Sequence, residues 1–163
     1  MASKARITPC LWFDKEALEA ARYYVRIFRN SRIRRITRYG KAGQQQHGQK
    51  PGSVMIVEFE LDNRPFTALN GGPIFRFNEA VSLQVRCKDQ KEVDYYWKRL
   101  TSGGDPSAQV CGWLKDKYGL SWQIVPDAVT KLLANPKSAK SQRAFAEMMT
   151  QKKPDIAALQ KTY

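Results

Sequence analysis

Residues 80–100, AVSLQVRCKDQKEVDYYWKRL, repeat in outline what residues 7–28, ITPCLWFDKEALEAARYYVRIF, have already done. Each stretch opens on an apolar run, turns at an aspartate and continues with apolar side chains at helical spacing. In the first copy Ile7–Phe13 reads as a buried strand and Asp14 as the helix N-cap, with Leu18, Ala21, Val25 and Phe28 on one apolar face. In the second copy Ala80–Cys87 is the strand and Asp89 the cap. Glu92 completes an Asp-x-x-Glu capping box, and Val93, Tyr96, Trp97 and Leu100 form the face. Tyr23-Tyr24 returns 72 residues later as Tyr95-Tyr96, and Leu11-x-Phe13 returns 74 residues later as Val85-x-Cys87. The chain is a duplication.

Strands follow each helix. Ile33, Ile36 and Tyr39 mark one that ends at Gly40. Ser53–Leu61 and Phe66–Asn70 form a hairpin around Asp62–Pro65, and Gly71-Gly72-Pro73 ends it. In the second copy weaker strands are expected at Ala108–Leu114 and Leu120–Val125. The stretch Gly40–Gly52 is a polar loop, and its His47 is read as a solvated side chain. One module alone would leave a sheet face uncovered, so two must pack together. The tail is helical: Asp127–Ala134 stopped by Asn135-Pro136, Ser138–Lys152 with Ala144, Phe145, Met148 and Met149 on one side, and final turns opened by Pro154. That stripe reads as core or dimer contact.

A chain of 163 residues and 18.7 kDa, 42% apolar, can bury its own core. No run approaches the ~20 apolar residues of a membrane span, and MASKARITPC lacks the apolar stretch of a signal peptide, so a cytoplasmic protein is expected. Three widely spaced cysteines and a single histidine match neither a disulfide framework nor the usual zinc sites. The net charge is +13, concentrated between Arg22 and Lys41, where eight cations occur without an acid. Such a run attracts polyanions, but it matches no nucleic-acid module and is read as a solvated face.

Four strings, ITPCLWFD at 7–14, ALNGGPIFRFNEAVSLQV at 68–85, CGWLKDKYGLSWQIVP at 111–126 and DIAALQKTY at 155–163, resemble the PhnB-like branch of the vicinal oxygen chelate (glyoxalase/bleomycin-resistance) superfamily. The resemblance implies an α+β fold: two βαβββ modules forming a cupped eight-stranded mixed sheet, here with a C-terminal helical extension. It implies a homodimer with a ligand held in the cup. The chain is then a single domain, with module 1 at about 5–75, module 2 at about 78–126 and helices at about 127–163. Members of this branch often carry a 3-demethylubiquinone 3-methyltransferase label. No Gly-rich strand–turn–helix stands where a conventional AdoMet enzyme would need one, which argues against that activity.

Side-chain alternation assigns faces. If Leu11 and Phe13 pack on the first helix, Thr8, Cys10 and Trp12 point into the cup, and by the same parity so do Ser82, Gln84 and Arg86. The superfamily's metal positions, carried over by resemblance, fall on Thr8, Ser82, Gln123 and a place near Ala68 or Asn70. Only Gln123 is a fair ligand, so no metal and no cofactor is expected. The expected ligand-binding set is Thr8, Cys10, Trp12, Phe66, Asn70, Ser82, Gln84, Arg86 and Gln123, suited to a flat, oxygen-bearing molecule, with Arg86 available to an anionic group. Glu58 and Glu60 share one strand face, read as a solvated outer face, and Cys10 and Cys111 lack a histidine to activate them. Function is thus expected to be metal-independent small-molecule binding or catalysis. The alternatives are a metal-dependent lyase, isomerase or dioxygenase of the same fold, and an anionic-polymer binder using Arg22–Lys41.

Overall fold

The computed structural model describes residues 6–163; residues 1–5, within the N-terminal stretch read as lacking a signal segment, lie outside the described residues. The chain divides into two units, one ending at Arg76 and one running from Phe77 to Tyr163.

The first unit contains β1 (Cys10–Phe13), α1 (Ala17–Ile27), β2 (Arg32–Arg38), the short α2 (Gln44–His47), β3 (Val54–Leu61) and β4 (Arg64–Asn70). Its four strands lie in the order β1-β4-β3-β2, with β1 parallel to β4 and the other pairs antiparallel. The β3–β4 hairpin turns on Asp62 and Asn63, whose φ values of 45° and 60° are those of a two-residue turn matched to strand twist. One sheet face carries Leu11, Phe13, Val57, Phe59, Leu61 and Ala68, all buried, and α1 covers it with Ala17, Ala20, Ala21, Tyr24 and Ile27. Three alanines let the helix backbone sit close to the strands. Leu18, Val25 and Phe28, expected on this face with Ala21, are only half-buried at its margin.

The start of α1 differs from the expectation. Asp14 does not cap it; Asn70 does, its Oδ1 accepting the Ala17 N–H at 2.8 Å while its Nδ2 donates to the Val54 carbonyl at 3.0 Å. The reason is register: Asn70 pairs with Phe13 in the parallel β1–β4 ladder, which brings its amide to the mouth of the β1–α1 connection.

The second unit repeats the plan with β5 (Ser82–Cys87), α3 (Gln90–Leu100), β6 (Trp113–Lys115) and β7 (Ser121–Pro126), in the order β5-β7-β6 with β5 parallel to β7. Asp89 caps α3 as expected, accepting the Glu92 N–H at 2.9 Å, and Glu92 accepts the Lys88 N–H at 3.0 Å. The fold is α+β with two related modules, but the described strands number four and three rather than eight. The absent strand is the counterpart of β2. In its place Thr101–Gly112 holds a single 3-10 turn at Pro106–Ala108 and one isolated bridge, Val110 to Trp113. Pro106 fixes that turn, and Gly104 runs so close to β6 that a Cβ would meet the Lys115 carbonyl oxygen at 2.1 Å.

Three helices close the chain: α4 (Asp127–Leu132), α5 (Ala139–Thr150) and α6 (Ile156–Thr162). Asp155 caps α6 by accepting the Ala158 N–H at 3.0 Å, so Pro154, expected to open the helix, lies just before the cap and is buried.

Candidate functional site

Each sheet has a second face, turned away from α1 or α3, and the polar residues gather there. In the first unit the register aligns Cys10, Thr67, Glu58 and Arg35 across all four strands, with Trp12, Leu69, Ile56 and Thr37 in the next row. Glu58 and Glu60, read from sequence as a solvated outer face, share this surface with Cys10 and Trp12. Both are ion-paired: Glu58 to Arg35, and Glu60 to Arg34 at 2.6 Å and Arg32 at 3.2 Å. The Arg34 hydrogen bond is the main cause holding the Glu60 carboxyl below its ordinary value, and the bond to Glu58 raises Arg35. The lowered Glu60 carboxyl is correspondingly a weaker base.

Trp12 lies flat over Gly71, where a Cβ would stand 2.1 Å from the ring, and its Nε1 donates to the Gly72 carbonyl at 2.8 Å. Gly71-Gly72 therefore serves the tryptophan rather than a phosphate. Phe75 meets the same indole edge-on, with centroids 5.0 Å apart. Burial raises the Cys10 thiol, which keeps it protonated at neutral pH.

Phe66 and Asn70 stand elsewhere. Strand parity puts both on the α1 side of β4, where Phe66 stacks on Phe59 at 5.5 Å and Asn70 caps α1. The β4 residues that face away from α1 are Thr67 and Leu69, which sequence reading missed because the strand's face cannot be fixed without its partner register. Thr8 precedes β1 and is exposed.

In the second unit Ser82, Gln84 and Gln123 come together on the face opposite α3. The Gln123 Nε2 donates to Ser82 Oγ at 2.7 Å, and Gln84 Nε2 donates to Gln123 Oε1 at 3.4 Å. Ser121 pairs with Ser82 in the ladder, and its buried hydroxyl has no hydrogen-bond partner. A buried hydroxyl without a partner is a place where a water or ligand atom is wanted. Arg86, expected to meet an anionic ligand, donates instead to Asp127 Oδ1 through Nε at 3.0 Å and Nη2 at 2.8 Å, clamping the start of α4 to β5. Trp122 faces away, as its position beside Gln123 requires; it is buried and its Nε1 donates to Asp116 Oδ2 at 2.8 Å. Asp116 is the residue sequence reading passed over. Its other oxygen accepts the N–H groups of Tyr118 and Leu120 at 2.8 and 3.1 Å, fixing the β6–β7 turn.

The donor set does not fit a divalent cation. Thr8, Ser82 and Gln123 are neutral, Ala68 faces α1, Asn70 is engaged at both ends, and the Gln123 amide is already hydrogen-bonded. Glu58, the carboxylate in the first unit's polar row, is held by Arg35. Among the described residues no three His, Cys, Asp or Glu side chains gather at ligating distance. A hard dication needs carboxylate charge and several good donors, which this set lacks.

The profile of the 3-demethylubiquinone-9 3-methyltransferase family matches residues 5–125. A Bacillus cereus PhnB protein given the same methyltransferase description superposes with a TM-score of 0.63 at 32% identity, over 75% of this chain and 99% of its own. Protein PA1353 of Pseudomonas aeruginosa (TM-score 0.56, 16% identity, 76% of this chain and 100% of that one) has the same fold. So does the fosfomycin resistance protein FosX of Mesorhizobium loti (0.53, 13%, 83% and 100%). No curated protein matches the chain. A duplicated strand–helix–strands plan, a profile spanning both copies and a PhnB relative covered almost end to end lead to one assignment: the chain belongs to the 3-demethylubiquinone-9 3-methyltransferase family, a PhnB-like branch of the vicinal oxygen chelate fold.

Proposed function

We propose that this chain is a metal-independent small-molecule binding protein, or an enzyme of the glyoxalase/bleomycin-resistance-like class, whose ligand is held against the sheet face opposite α3. The observation that carries the reading is the neutral array on the second sheet. Ser82, Gln84 and Gln123 form a hydrogen-bonded string beside the orphaned Ser121 hydroxyl, and these groups suit a carbonyl or hydroxyl rather than a cation. Methyl transfer is not part of the proposal. The β1–α1 connection, Asp14–Glu16, contains no glycine, and Asn70 occupies the first free N–H of α1. Asp89 closes the start of α3 with a negative charge, so neither helix offers its N-terminus to an anionic cofactor group. No described helix is long and apolar enough to cross a membrane, and Cys10, Cys87 and Cys111 form no disulfide, which supports the cytoplasmic reading. A homodimer belongs to the same proposal.

The test is a thermal-shift screen of neutral and anionic aromatic metabolites on full-length protein, run with and without EDTA, alongside elemental analysis of protein purified without chelator. We expect stabilisation by at least one neutral, oxygen-bearing compound, unchanged by EDTA. Gln123→Ala should weaken that binding about tenfold, whereas Asn70→Ala should lower the melting temperature and leave affinity alone. Stoichiometric transition metal, or a shift abolished by chelation, overturns the reading.

A further inference from the structure

The family match ends at residue 125, one residue before the end of β7, and the chain beyond β7 carries α4, α5 and α6. These helices are tied to the rest of the second unit at several points. Asp127 is held by Arg86. The N–H groups of Cys111 and Gly112 donate to the carbonyls of Gln151 and Lys152, each at 2.8 Å. Gln90 at the start of α3 donates to the Pro154 carbonyl and accepts the Ile156 N–H, at 3.1 and 3.0 Å. Between the helices and the face of the sheet opposite α3 lies a cavity of about 520 Å³.

We propose that this cavity is a binding site for a neutral small molecule with an apolar body and one carbonyl or amide group, roofed by the C-terminal helices that lie outside the family match. The proposal rests on the preceding functional reading and gives it a place and a ligand class. The volume falls in the range of ~300–1,000 Å³ usual for ligand sites. Gln84 and Gln123 bring amides to the floor, while Leu133, Phe145, Met148 and Met149 supply an apolar wall. No charged side chain lines the space, although the protein carries +13, so a charged guest would lose its hydration without finding a partner. Phe145 and Met149 remain about half exposed, at 50% and 53%, so α5 presents apolar surface there that its own packing does not cover. Cys111 stands at the rim with φ of +50°, unusual for a residue with a side chain, and its Sγ lies 3.6 Å from Met149 Sδ. A residue held in that region at a cavity edge is the kind of local strain found at ligand clamps.

Nile red, a neutral apolar dye bearing a carbonyl, tests the proposal by fluorescence titration of the full chain in EDTA. Phe145→Arg and Met149→Lys put charge into the roof at half-exposed positions, where circular dichroism should show an intact fold. Ile74→Arg, at a position 74% exposed in the first unit, is the control. We expect the roof variants each to weaken dye binding about tenfold and the control to leave it within about twofold. In a Cys10→Ser background, saturating dye should slow alkylation of Cys111 several-fold. Absence of dye binding, or equal binding by wild type and both roof variants, overturns the pocket. If wild type still shows EDTA-insensitive shifts with metabolites in that case, the functional reading survives without it. Dye binding abolished by EDTA counts against the metal-independent reading itself. If the roof variants lose dye only because sedimentation shows a dimer falling to monomers, the apolar wall covers a second copy and the pocket is overturned.

Discussion

Asp116 shows how one side chain can hold a turn and a core tryptophan together. It is 2% exposed, and its two oxygens accept the indole N–H of Trp122 and the backbone N–H groups of Tyr118 and Leu120. Removing it would take a charged acceptor from the buried Trp122 and Leu120 donors, the costly direction of the hydrogen-bond asymmetry. Asp116→Ala should therefore destabilise the protein by about 3 kcal/mol, and Asp116→Asn, which keeps one acceptor oxygen, by about 1–2 kcal/mol. Urea unfolding followed by tryptophan fluorescence measures both. Equal and small effects would mean that the turn is held by Gly119 and the strand ladder instead. The core thiol at the other end of the same sheet behaves differently: burial, with the charges of Glu92, Asp127 and Asp89, pushes Cys87 up to about 12, so it acts as a small hydrophobe on the α3 side of β5.

At the scale of elements, the helices and their apolar strands were legible because each carries its own periodicity. The capping of α3 was readable too, since Asp89 and Glu92 are three residues apart. The capping of α1 was not: its acceptor, Asn70, is 53 residues away in sequence and arrives only through the parallel register of β1 and β4. For the same reason the α1-side position of Phe66 and Asn70 is not readable from β4 alone, whereas alternation within β1 and β5 gives Cys10, Trp12, Ser82 and Gln84 a common side of their strands, and Gln123 enters only through the family resemblance. The missing edge strand of the second module was half legible in Gly103, Gly104 and Pro106, which break a strand whatever the module plan asks for. The C-terminal helices carry a further prediction. Lys153 and then Gln90 hold the Asp94 carboxyl below its ordinary value of 3.8, joining α3 to the segment before α6 with an Nζ–Oδ1 distance of 2.5 Å. A depressed carboxylate stabilises the fold above its unfolded pKa, and that contribution disappears as pH falls through the folded one. Both partners are 40% or more exposed, so Asp94→Asn should cost no more than about 0.5 kcal/mol at neutral pH. Wild type and variant should converge by about pH 2 in acid unfolding curves. A gap that persists there would show that the amide loses packing rather than charge.

The whole molecule is strongly basic, and the structure shows why that charge is less available than the sequence suggests. Of the eight cations between Arg22 and Lys41, Arg32, Arg34 and Arg35 face Glu60 and Glu58 across the β2–β3 ladder. The two carboxylates that offset part of the run lie about 25 residues downstream of it, so the local count of charge overstates to that extent the field that a polyanion would meet. The run, read from sequence as a solvated face, is thus ion-paired in part along β2. This pairing also makes the electrostatics adjustable without touching the arginines. Glu58→Gln with Glu60→Gln removes two negative charges and releases three guanidinium groups on the exposed strand β2, at the edge of its sheet. Wild type should elute from heparin at modest salt, and the double variant should elute distinctly later. Its binding to duplex DNA should steepen, log K against log salt, by about two to three additional phosphate contacts. Ligand stabilisation on the second sheet should be unchanged, because none of its polar groups pairs with Glu58 or Glu60. An unaltered salt slope would mean that the freed arginines find other acids within the fold. A wild-type slope already at the variant's value would instead restore nucleic-acid binding as the better account of the basic run.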